Sequence, residues 1–140
     1  MKNLVFRWFL VATLILLISP AYAWIQGYVA FLIIPLKNAV SAKSETSLGV
    51  VITFTGVIAA ILTGLVTALP CGYLARRNPV ILATFLIVSA LCIPVYITLI
   101  NSANLNRFLI VIRAGEFSSI VASCIVFSVL GVRLSQMKNP

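Results

Sequence analysis

Histidine is absent from this 140-residue chain, acidic residues number two, Glu45 and Glu116, and charged residues of either sign make up only 9% of it. Without an imidazole there is no His-based acid–base catalysis, no His metal ligand and no partner to activate a serine or cysteine nucleophile. The three cysteines, Cys71, Cys92 and Cys124, are far apart and odd in number, so neither a zinc site nor a CxxC redox motif is written here. Each reads as a small apolar residue in a helix. The phosphate-binding patterns GxxxxGK and GxGxxG and the zinc motif HExxH are missing too. An enzyme, a resident metal and an organic cofactor are therefore not expected. Soluble domains carry roughly 25% charged residues, so 9% is too little to cover this chain in water.

What fills the sequence instead is apolar: 62% of residues are hydrophobic, and the mean hydropathy is +1.18. The ten basic residues give a formal charge of +8, yet they stand singly or as the one pair Arg76-Arg77. A nucleic-acid surface would gather them into a run, so no nucleic-acid partner is expected and the bilayer explains them better.

The charged positions leave uncharged stretches at 8–36, 46–75, 78–106 and 117–132. The first three exceed the ~20 residues that cross a ~30 Å hydrocarbon core at ~1.5 Å per residue. The expectation is an all-α integral membrane protein, a single domain over 1–140 with no soluble part. Four transmembrane helices are placed at about 5–35, kinked at Pro20, then 48–70, 79–100 and 105–132. Turn chemistry fits, with a polar loop at 41–47, Pro70-Cys71-Gly72 and Arg76-Arg77-Asn78-Pro79 bracketing a short connection, and Asn101-Ser102-Ala103-Asn104 as a third break. Continuous apolar runs of this length exclude a β-barrel, whose strands alternate and are only ~10 residues long.

Basic residues are retained on the cytoplasmic side. With both termini inside, Lys2, Arg7, Arg76, Arg77, Arg133 and Lys138 are cytoplasmic, against Lys37, Lys43 and Arg107 outside. That count predicts an N-in, C-in orientation, and the expected location is the inner (plasma) membrane. The first span also has the form of a signal peptide, with Pro20-Ala21-Tyr22-Ala23 ending in the small-x-small pattern of a cleavage site. Against removal of residues 1–23, the apolar run continues through Trp24 to Pro35. A retained helix over 5–35 measures roughly 46 Å and exceeds one straight crossing. Trp8 at one end and Tyr22, Trp24 and Tyr28 at the other then read as aromatic belts. Trp24 to Leu36 would lie at the outer face, where a partner could sit.

Helix two carries Gly56, Ala60, Gly64 and Ala68 at four-residue spacing, a small-xxx-small stripe that admits a second helix backbone. Helix four carries Gly115, Ser119 and Ser123. These stripes suit packing inside the bundle, homo-oligomerisation or docking to another membrane subunit. Arg113 and Glu116 lie inside helix four, expected about 7.5 and 12 Å below its outer boundary. Each costs on the order of 2.5–3.5 kcal/mol to insert, which makes the pair a candidate functional site. At i,i+3 the two can also neutralise each other on one helix face.

Three readings of function follow. The first is a non-catalytic accessory or scaffold subunit that packs against partner membrane proteins or against itself. The second is a small homo-oligomeric transporter or channel using Glu116 and Arg113. The third is a phage holin or a membrane-embedded immunity protein against a pore-forming toxin.

Overall fold

The computed structural model of the chain describes residues 2–41, 45–76, 78–100 and 107–137. Those residues are almost wholly helical, and no strand occurs among them. Helix α1 runs Lys2–Ser41, α2 Glu45–Thr63, a π-helical turn Gly64–Ala68, α3 Leu69–Ala75, α4 Pro79–Ile100 and α5 Arg107–Met137. Four stretches are long and apolar enough to cross a bilayer: Leu4–Ile33, Gly49–Ala75, Pro79–Ile100 and Ile110–Met137. The fold is an all-α four-helix membrane bundle.

Three boundaries differ from the sequence reading. The second span does not stop at residue 70 but continues through Pro70, Cys71 and Gly72 to Ala75. In a regular α-helix the Pro70 ring would strike the carbonyl four residues back and leave it without a donor. The chain widens into the π-turn just before the proline, with the Leu69 N–H bonded to the Gly64 carbonyl, and so passes it without a break. The reversal falls instead at Arg76 and Asn78, which take left-handed backbone angles of φ 57° and 42°. The first helix runs unbroken past both Pro20 and Pro35 to Ser41. The fourth extends to Met137, about a turn beyond the expected 132; the expected break at 101–104 lies outside the described residues.

Around the bundle the order is α1, then α2 with α3, then α5, then α4, which closes on α1. The cross-links give each level of the bundle. At one end the Arg7 guanidinium donates to the Leu74 carbonyl at 2.5 Å, satisfying a carbonyl at the C-terminus of α3 where a positive charge is favoured. Near the middle, Ser89 donates to the Ile15 carbonyl at 2.5 Å. Ser19 donates to the Ala90 carbonyl at 3.4 Å, which Pro94, four residues on and lacking an N–H, leaves free. These two serines join α1 to α4 where each helix carries a proline. The core around them holds Ile18, Ala60, Ala68, Cys71, Leu86 and Cys124.

The seam between the second and fourth spans is made by small residues. Ser123 donates to the Ala60 carbonyl at 2.6 Å. A methyl group on Gly64 would strike Ser123 and Phe127, and one on Gly72 would strike the Ser128 backbone. One on Gly131 would strike the Leu69 carbonyl, with the Tyr73 nitrogen 2.8 Å away. Burial of small side chains against backbone is how helices gain contact when lipid is as apolar as leucine.

Candidate intramembrane polar site

Glu116 lies one side of this seam, directly beneath α2: a Cβ on Gly56 would sit 2.8 Å from its Cγ. Its side chain therefore has room only because position 56 carries none. Glu116 is 2% exposed. Arg113 Nη1 donates to its Oε2 at 2.6 Å, and Gln26 Nε2 on α1 donates to its Oε1 at 2.9 Å. One carboxylate thus joins α5 to itself and to α1 across the bundle, with both oxygens engaged. Arg113 keeps 33% of its side chain exposed.

Depth follows from the level of Gln26. The span Leu4–Ile33 has its midpoint near Ile18 and Ser19. Gln26 and Glu116 then lie ~11 Å from the bilayer midplane, within a half-thickness of ~15 Å, and Arg113 lies one turn further out at the boundary. Counted along an upright helix, Glu116 would fall several ångströms inside the hydrocarbon edge, less deep than the ~12 Å expected from the sequence, with Arg113 close enough to the edge to extend toward the headgroups.

Beside the pair is a cavity of about 330 Å³, lined by Tyr22, Gln26, Arg113 and Glu116 and otherwise by aliphatic residues, among them Ile52 and Ile93. The Tyr22 ring is 2% exposed, and its hydroxyl is buried without a hydrogen-bond partner among the described residues. Tyr22 is thus no interfacial belt residue, because it turns into the bundle. Trp24 and Tyr28 face outward and stack with ring centroids 6.1 Å apart.

The stripe residues divide. Gly56 meets Glu116, Gly64 meets Ser123, and Gly115 approaches Thr53, 3.2 Å from its methyl carbon to a Cβ at 115. Ala60 accepts from Ser123. Ala68 is sealed in the core, and Ser119 bonds its own helix through the Glu116 carbonyl at 2.8 Å. Sequence reasoning missed Tyr22 and Gln26 as parts of the site. Their signal was an i,i+4 pair of polar side chains in the apolar stretch of α1 between Ser19 and Lys37, at the level where an acid enters from α5.

Compared with protein-family models, curated proteins and solved structures, the chain finds no match in any of the three. No group of three or more metal-ligating side chains occurs among the described residues.

Proposed function

We propose that this chain is a non-catalytic multi-pass protein of the inner membrane that binds a small polar solute beside Glu116 and carries it across the bilayer. The supporting observation is the cavity itself: a buried carboxylate with a partly exposed guanidinium beside it and, in its wall, a phenol whose buried hydroxyl has no hydrogen-bond partner among the described residues. Stability alone gives no reason for such a space, since filling it with apolar side chains would remove the cost of burying polar groups. The stripe that made docking attractive is engaged within the chain, which turns the balance away from a purely packing role.

Arg7, Arg76 and Arg133 gather toward the end opposite Glu116. That grouping supports a cytoplasmic arginine end and an outer glutamate end. Labelling of Lys43→Cys and Arg76→Cys from opposite faces is the expected result; labelling from one face would contradict it.

The transport reading is tested in proteoliposomes offered radiolabelled leucine, tetraethylammonium and butyrate, one probe for each charge type. Uptake of at least one is expected, cut at least about tenfold by Glu116→Gln in protein that still elutes as a folded species. No uptake of any probe, with Glu116→Gln altering only assembly, overturns it. In that case the accessory-subunit reading stands, and it has its own support in the outward row Trp24, Tyr28, Phe31 and Leu32 on α1. Its mark is a second chain co-eluting in fixed ratio from mild detergent.

A further inference from the structure

The cavity's charges are equal, opposite and adjacent, and that restricts what it can hold. A lone anion gains from Arg113 but is repelled by Glu116, and a lone cation meets the reverse, with the two charges 2.6 Å apart at their closest atoms. The species that meets both favourably carries both signs a few ångströms apart and no net charge. Resting on the solute-binding reading above, we infer that the site takes a compact zwitterion.

Its anionic end accepts from guanidinium N–H groups of Arg113 turned to the cavity, and from the Tyr22 hydroxyl once the ligand displaces the side chains that cover it. Its ammonium end donates to the outer lone pairs of the Glu116 carboxylate and to the Gln26 amide oxygen, which is an acceptor because the amide nitrogen already donates to Glu116. The Tyr22 hydroxyl is the second, independent pointer. Left unpaired in a buried position it is unfavourable, and an acceptor placed in the cavity removes that penalty. The rest of the wall is aliphatic, with Ile52, Ile93 and Ile112 facing the space, which suits a hydrocarbon side chain. About 330 Å³ is at the lower end of small-molecule sites and accommodates an aliphatic α-amino acid.

The same chemistry is offered from the membrane side by a lipid with an ammonium-phosphate headgroup, and Arg113 at the boundary is placed to meet it. One experiment separates the sources. Radiolabelled leucine is titrated into delipidated protein in dodecyl maltoside, with leucinamide and 4-methylpentanoate as competitors that each keep one charge. The expected result is saturable leucine binding, with each competitor at least about tenfold weaker than leucine and Tyr22→Phe weakening leucine by about tenfold. If leucine fails but phosphatidylethanolamine is retained in native mass spectra, and Tyr22→Phe releases it, the zwitterion is a lipid headgroup and the inference holds. Competition by leucinamide or 4-methylpentanoate as strong as by leucine overturns it. So does Glu116-dependent uptake of tetraethylammonium without binding of either zwitterion, and that outcome leaves the transport reading intact. Absence of every binding and every Glu116-dependent uptake removes both.

Discussion

The two ends of this bundle are built on different principles. At the arginine end the second and fourth spans touch backbone to backbone, Gly72 over Ser128 and Gly131 over Leu69 and Tyr73. At the glutamate end the same two helices meet through a carboxylate laid under Gly56, with a polar cavity alongside. A hollow exists at the arginine end too, about 430 Å³ between α1 and α4, but Trp8, Ile15, Leu82 and Phe85 make it apolar and suited to lipid chains. The difference teaches how a small membrane protein can hold itself together with one half while leaving chemistry to the other. Backbone contact brings the helices closest at the arginine end, and side-chain contact leaves the space at the glutamate end in which binding is proposed.

The sharpest way to break this comparison is to give the arginine end a side chain it has no room for. Gly131→Ala puts a methyl against the Leu69 carbonyl and the Tyr73 nitrogen, neither of which is the movable tip of a side chain. A loss of about 3 kcal/mol or more is expected, read as a lower unfolding midpoint in mixed micelles. Breaking the ion pair comes next. Arg113→Ala leaves Glu116 buried without its cation and is expected to cost about 2–3 kcal/mol, below the usual range for fully buried pairs because Arg113 is partly exposed. Replacing both residues together by Leu is expected to recover most of that stability while abolishing binding. Gly56→Ala tests the glutamate end with the same methyl. Its nearest neighbour is the Glu116 Cγ, a side-chain atom that gives more readily than backbone although both carboxylate oxygens are held, so about 2 kcal/mol is expected, below the Gly131 value. Equal losses at 56 and 131 would erase the proposed distinction. Smallest of all, Asn78→Gly keeps the left-handed turn and is expected to shift stability by no more than about 0.5 kcal/mol, whereas Asn78→Val costs about 1 kcal/mol in the same denaturation assay.

Much of the architecture was legible because lipid imposes it: long uncharged runs between basic residues mark spans, whatever the details of packing. The misplacement at 70–72 had a specific cause. Gly72 continues the four-residue series of Gly56, Ala60, Gly64 and Ala68, and Gly131 continues that of Gly115, Ser119 and Ser123, with Phe127 lying over Gly64. Pro70 beside Gly72 read as a turn, since nothing local announces that a π-turn will absorb the proline. Arg113 and Glu116 were visible as charges in an apolar helix, but their partners on α1 were not. Periodicity shows which face of a helix is polar, and only the three-dimensional ring of helices shows that Gln26 and Tyr22 point to the same place. The stripe of α2 was equally ambiguous as a sequence, because small residues specify close approach without specifying the helix that approaches.

Tyr22→Phe examined for stability and binding on one preparation tests most directly whether the glutamate end is a built site rather than part of the scaffold. Removing a buried, unpaired hydroxyl without changing the ring is expected to leave the unfolding midpoint unchanged or slightly raised, while zwitterion binding falls about tenfold. A lowered midpoint with binding intact would mean that the phenol holds the fold together and that the cavity has no ligand to hold.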